Sequence, residues 1–163
     1  MNGKRSLRSE IGIFLAAVGL FLFPSLGWAE EFDITCCGSL NVTILSADQE
    51  LRITGAEGKG ISRSNHPNKI FDGSTWQVVS VSKVIGGTAQ WIEYRKYQDM
   101  DGDIFYVEIF GGAEGTLKFL DGTGKYKGIT GEAKTTAVVR GKPIVPGTAQ
   151  YCGRAIGSFT LKK

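Results

Sequence analysis

The chain has 163 residues, 42% of them hydrophobic and 21% charged, with 23 glycines and 4 prolines. That length suits one domain rather than two, and the hydrophobic share excludes wholesale disorder. The formal net charge is +3, much of it in the first 29 residues; the near-neutral remainder lacks the clustered positive field that a nucleic-acid partner needs.

Lys4, Arg5 and Arg8 precede an apolar run over residues 11–23, and Pro24, Gly27 and Ala29 follow it. The order basic, apolar, small predicts a secretory signal peptide over residues 1–29, cleaved after Ala29. The run is shorter than the ~18–20 residues that span a bilayer, so no membrane span is expected after cleavage. Residues 30–163 would then be one exported domain, secreted or periplasmic, folding under oxidising conditions. That domain keeps Cys36, Cys37 and Cys152. Neighbouring cysteines bridge each other poorly, so Cys36 or Cys37 is expected to join Cys152, with one thiol left over. The spacing does not suit a zinc site, and the lone histidine, His66, sits in a polar loop next to Pro67. Neither a metal nor an organic cofactor is expected.

Beyond residue 30 no long amphipathic helix is legible. Short alternating runs predict strands over residues 40–46, 51–62, 75–85, 88–98, 104–110, 115–120, 131–140 and 147–161. Asp72-Gly73, Gly86-Gly87, Asp101-Gly102, Gly111-Gly112 and Asp121-Gly122 mark turns between them. Strands of this length and spacing read as an all-β, antiparallel, eight-stranded barrel, whose closure removes exposed sheet edges. Residues 62–73 form the one long polar loop.

The segment 88–110 is the most informative for function. A turn at Asp101-Gly102 is expected to pair Arg95 with Glu108, Tyr97 with Tyr106 and Glu93 with Phe110. Alternation then puts Trp91, Glu93, Arg95, Tyr97, Tyr106 and Glu108 on one face, and Phe105, Val107 and Ile109 on the other. If the first face turns inward, Glu93, Arg95 and Glu108 are candidate catalytic groups for acid–base work, and Trp91, Tyr97 and Tyr106 candidate ligand contacts. If the second face turns inward, the core is conventional and Arg95–Glu108 is a surface pair worth about 0–1 kcal/mol. Asp99, Asp101 and Asp103 alternate as in a calcium loop, but strand resumes at once, so a hairpin turn is the better reading.

Residues 115–134 read GTLKFLDGTGKYKGITGEAK. Gly122 and Gly124 permit a tight turn, Tyr126 and Ile129 are its only large apolar groups and should plug inward, and Gly128 and Gly131 allow close backbone approach. No helix follows, so a phosphate cradle is not expected. The run Gly122-Thr123-Gly124-Lys125-Tyr126-Lys127-Gly128-Ile129-Thr130-Gly131 resembles the turn of the allene oxide cyclase and dirigent-like barrel family. The resemblance implies that barrel fold, an apolar cavity with a few polar groups and, by analogy, a homo-oligomer such as a trimer. The acidic, asparagine and cysteine positions of the cyclases fall outside the matched stretch, so no catalytic residue is carried over. The expected function is binding of a small, largely apolar molecule in the lumen. An isomerase or cyclase acting on such a molecule is the alternative, and an interaction protein with a filled core is the third.

Overall fold

A computed structural model describes residues 28–47, 50–112 and 114–162. The expected signal peptide falls almost wholly outside the described residues. Eight strands are present: β1 (Glu30–Ala47), β2 (Leu51–Ser64), β3 (Thr75–Ile85), β4 (Thr88–Gln98), β5 (Ile104–Gly111), β6 (Gly115–Gly122), β7 (Thr130–Arg140) and β8 (Thr148–Thr160). Each pairs antiparallel with the next, and β8 pairs with β1, so the sheet is a closed barrel. No described helix is long and apolar enough to cross a membrane.

Strand positions follow from alternation. Phe32, Ile34 and Cys36 of β1 are buried, as are Trp76 and Val78 of β3 and Phe105, Val107 and Ile109 of β5. The intervening residues face solvent, including Val79, Val81 and Tyr94. β1 starts ten residues before the predicted strand, at Glu30 rather than 40. That added length supplies the β1–β8 seam, in which Phe32 faces Gly157 and Ile34 faces Ala155.

Cys37 and Cys152 stand opposite each other on this seam and are bonded, with Cα atoms 4.1 Å apart. Cys36 and Tyr151, one residue away on each strand, alternate to the inner side. The bridge therefore lies on the outer wall, and Cys36 is a buried free thiol. Cys36 is 4% exposed and burial pushes its thiol pKa up, so it should stay silent toward a thiol reagent in the native protein and react once per chain after unfolding.

One end of the barrel is stoppered. The polar loop between β2 and β3 sends Phe71 inward, where its ring meets Phe32, Phe105, Phe119, Tyr126 and Phe159 at centroid distances of 4.7–5.8 Å. Lys69 and Phe71 adopt positive φ, 55° and 61°, a conformation that L residues rarely hold unless the surroundings impose it. Ser62 holds the loop by donating from its hydroxyl to the carbonyls of Phe71 and Ser74 at 2.5 and 3.1 Å. Asp72 accepts the Ser64 amide at 2.7 Å. Phe71→Ala should cost about 3–5 kcal/mol, read by denaturant unfolding, because it removes a ring that packs on five others.

The turn between β6 and β7 closes the same end as expected: Tyr126 is 5% and Ile129 0% exposed. Residues Gly124–Tyr126 form a 3-10 turn. Gly124 is at φ 52°, and a Cβ there would fall 1.8 Å from the Asp103 carboxylate, so any other residue would be strained and would displace that carboxylate. Gly128 and Gly131 also have positive φ, whereas Gly122 does not; its role is close approach, since a Cβ would lie 2.6 Å from the Ile104 carbonyl.

Candidate functional site

The β4–β5 register differs from the expected one by a single residue. Arg95 faces Val107, Glu93 faces Ile109 and Tyr97 faces Phe105. The pairs Arg95–Glu108, Tyr97–Tyr106 and Glu93–Phe110 do not form. The cause is the loop, which spans residues 99–103. Asp99 stitches it by accepting the Asp101 and Asp103 amides, each at 2.9 Å, and its own amide donates to the Asp103 carbonyl at 3.0 Å. Five loop residues, rather than the two of a tight turn at Asp101-Gly102, shift every partner by one. The two alternatives for the inner face are thereby merged: Glu93, Arg95 and Tyr97 of β4 point inward together with Phe105, Val107 and Ile109 of β5. Tyr106 and Glu108 turn outward, where Glu108 accepts the Tyr94 hydroxyl at 2.8 Å.

In the middle of the barrel Arg95 is 7% and Glu93 9% exposed. Nη2 of Arg95 lies 2.5 Å from Oε1 of Glu93 and also donates to the Tyr151 hydroxyl at 2.8 Å. Nη1 donates to the Tyr97 hydroxyl at 3.2 Å. The guanidinium stacks on Trp76, its carbon 4.8 Å from the ring centroid, with the Tyr151 ring 5.9 Å away. Tyr97 lies flat on Phe105 at 4.7 Å and its hydroxyl is 3.5 Å from Sγ of Cys36. Trp76 is seated by glycine: a Cβ on Gly38 or Gly60 would meet its ring at 2.3–2.5 Å. Trp91 is only half-buried and donates from its indole to the Gly112 carbonyl at 2.9 Å.

Two donors in this group have no partner among the described residues: Nε of Arg95 and Nε1 of Trp76. Ser74 Oγ, before β3, and Gln150 Oε1, on the outward register of β8, are likewise unpartnered. Away from the stoppered end, the inner wall beyond Arg95 mixes small residues with Leu40, Trp91 and Tyr151. Gly38, Ala56, Gly58, Ser80, Ser82 and Gly153 follow the inward register there and are only half-buried.

Burial sets the electrostatics. It pushes the Glu93 carboxyl up despite the opposing pull of Arg95. Burial works against the charge on Arg95, yet its oxygen-rich surroundings outweigh that and hold it above its usual value. Tyr97 is pushed well up and Tyr151 to about 12, both chiefly by burial. Arg95 is therefore a cation in every ordinary buffer, and Glu93 is a carboxyl group able to hold a proton above the usual carboxylate range. A group whose pKa is raised by folding contributes stability below its unfolded value and loses it as pH rises through the folded one. Wild type should therefore lose ground to Glu93→Gln as pH climbs from 4 towards neutrality, measured as the difference between their denaturant midpoints.

The aspartate trio at the stoppered end holds a side-chain cation. Lys125 Nζ lies 2.5 Å from Asp99 and 2.6 Å from Asp101, and the Tyr126 hydroxyl donates to Asp99 at 3.0 Å. Hydrogen bonds from Lys125 and Tyr126 outweigh burial and lower the Asp99 pKa. Arg154 does the same for Asp33 on the β1–β8 seam. His66 is half-buried in the β2–β3 loop, accepting the Asn68 amide at its Nδ1.

Sequence reasoning placed Glu93, Arg95, Tyr97 and Trp91 on one face. It missed Trp76, Tyr151 and Cys36, which other strands bring alongside. The parity of Tyr151 was readable only from the seam, since an outward Cys152 fixes Tyr151 inward.

No family model matches the chain, and no curated protein matches it. Seven solved chains match, among them the pterocarpan synthase dirigent protein GePTS1, with TM-score 0.46 and 11% sequence identity, covering 82% of this chain and 88% of that one.

Proposed function

We propose that this is an exported barrel that binds a small, largely apolar molecule in its lumen and holds one polar group of it at the Arg95 cluster. One observation carries the reading. A guanidinium enclosed in a closed barrel is stacked on Trp76, yet its Nε and the indole Nε1 are buried donors without partners. Buried donors in a folded protein are normally satisfied, and exceptions concentrate where something else is to be met. Export is supported by the basic–apolar order of residues 4–29 and by the Cys37–Cys152 bridge.

A second reading is isomerisation or cyclisation of the bound molecule. It is favoured by Glu93, an acid with its pKa raised by burial, lying beside a fixed cation. In that role Glu93 would pass a proton to or from the molecule while Arg95 and Tyr97 steady the charge that develops. Native mass spectrometry of the protein secreted by its host tests the first reading. A co-purified adduct of a few hundred daltons is expected, and its loss in the joint Arg95→Met, Glu93→Leu variant. Bare protein from every preparation, with no small apolar probe retained, would contradict it.

A further inference from the structure

The outside of the barrel carries a groove of its own. It holds about 530 Å3, a volume typical of ligand clefts, and crosses β3–β6. The register lays two rows of side chains along it. One runs Lys59, Gln77, Lys96, Tyr106, Asp121, and the next runs Glu57, Val79, Tyr94, Glu108, Lys118. Tyr94 and Tyr106 are diagonal neighbours in these rows, ~7–8 Å apart along the sheet, so one extended ligand can lie on both rings. With Val79 and Leu120 they form an apolar patch in which each side chain is between 41% and 55% exposed. The Tyr94 ring is held in place, its hydroxyl donating to Glu108 at 2.8 Å. The Tyr106 hydroxyl, the Gln77 amide and the Lys96 ammonium are exposed and have no side-chain partner among the described residues. Asp121 spends one oxygen, Oδ1, on the Gly122 and Gly128 amides and keeps the other as an acceptor.

The groove therefore offers apolar faces and hydrogen-bonding edges side by side, without a field of one sign. Lys59, Lys96 and Lys118 are set against Glu57, Glu108 and Asp121 within the rows; farther out, Glu132 pairs with Lys118, and Lys127 and Lys162 act on Asp121. A sugar with equatorial hydroxyls matches this pattern. Its axial C–H bonds stack on a tyrosine face, and its hydroxyls both donate and accept at the rim. A second copy of the chain matches it poorly. Lysine and aspartate are depleted from the cores of protein interfaces, and burying Lys96 and Asp121 there would strip them of water. We propose that this wall docks an extended, neutral, β-linked glycan chain. Tyr94 and Tyr106 are its stacking platforms, and Gln77, Lys96 and Asp121 take its hydroxyls.

Cellohexaose and maltohexaose contain the same sugar and differ in linkage, which makes the first a flat ribbon and the second a coil. Each can be titrated into the disulfide-bonded protein and followed by amide NMR. Cellohexaose should shift amides of Gln77, Val79, Tyr94, Lys96 and Tyr106, leave those of β8 in place, and bind at least about tenfold more tightly than maltohexaose. Its affinity should hold as salt is raised, since screening does not touch stacking on a neutral chain. Tyr94→Ala and Tyr106→Ala should each weaken binding at least about tenfold, and Tyr106→Phe, which keeps the ring, only a few-fold. Tyr106 is exposed, so Tyr106→Ala should keep the wild-type urea midpoint, which separates lost binding from lost folding. The joint Arg95→Met, Glu93→Leu variant should bind cellohexaose as wild type does, because the groove lies outside the lumen. Absence of saturable cellohexaose binding would overturn the proposal, as would equal binding of maltohexaose or shifts confined to lumen residues. Self-association that Tyr106→Ala abolishes, without glycan binding, would assign the wall to a second copy and overturn it too.

Discussion

Arg95→Met is expected to destabilise the protein by about 3–5 kcal/mol, because it leaves Glu93 buried without its cation. The joint change Arg95→Met, Glu93→Leu should recover most of that loss. Removing both charges ends the desolvation cost, and the replacements roughly conserve volume beside Val107 and Ile109. Urea unfolding of wild type, single and double variants measures all three values under one condition. The comparison separates two reasons for a charged barrel interior. If the pair were there for stability, the double variant would stay as weak as the single. If it is there to meet a ligand, the double variant is a sound barrel that no longer retains one. The protonatable Glu93 adds a pH signature: the deficit of Arg95→Met should shrink towards acid, where the stranded carboxylate can take up a proton.

Cutting the bridge is the second large effect. Cys37 and Cys152 are separated by 115 residues, and closing a loop of that size restricts the unfolded chain by roughly 4–5 kcal/mol. The joint variant Cys37→Ser, Cys152→Ser should lose about 3–5 kcal/mol, with a melting point lower by on the order of 10 °C. Cys36→Ser should keep the bridge, since Cys36 faces inward beside Tyr97 while Cys37 lies on the outer wall. Intact-mass analysis before and after alkylation would show which sulfur atoms are joined. The same loss on reduction of wild type and in the double serine variant would identify the bridge as its source.

Acid should act at the stoppered end first. The Asp33 and Asp99 carboxyls are held below their usual range by Arg154 and by Lys125 with Tyr126. Groups with lowered pKa values stabilise the fold above their unfolded values and release that stability as pH falls through the folded ones. The hairpin over residues 99–103 and the β1–β8 seam should therefore exchange amide hydrogens faster below the ordinary carboxylate range, ahead of β3 and β4.

The strand plan was legible because glycine turns and alternating apolar residues repeat along the chain. Seven predicted strands sit within a few residues of their observed bounds. The early start of β1 was masked by Asp33, Thr35 and the two cysteines, although Phe32, Ile34 and Cys36 already alternate. The β4–β5 register was not legible, because a side chain sets it: the Asp99 carboxylate gathers two amides and lengthens the loop to five residues. Phe71 was equally hidden. It lies in a polar segment and takes a backbone conformation that its type disfavours, so only the ring cluster that receives it explains the loop. The candidate site was half legible. Alternation links Glu93, Arg95 and Tyr97 within one strand, while Trp76, Tyr151 and Cys36 arrive through pairings that closure of the barrel decides.

The inward placement of Arg95 underlies the site, the proposed ligand and the mutational pattern alike. Modification by phenylglyoxal, followed peptide by peptide in the mass spectrometer, measures it directly. Arg52 and Arg63, exposed on β2, should react readily in the native protein, and Arg95 only after unfolding. Native-state modification of Arg95 at the rate of Arg52 would mean that this side chain faces solvent, which contradicts the account.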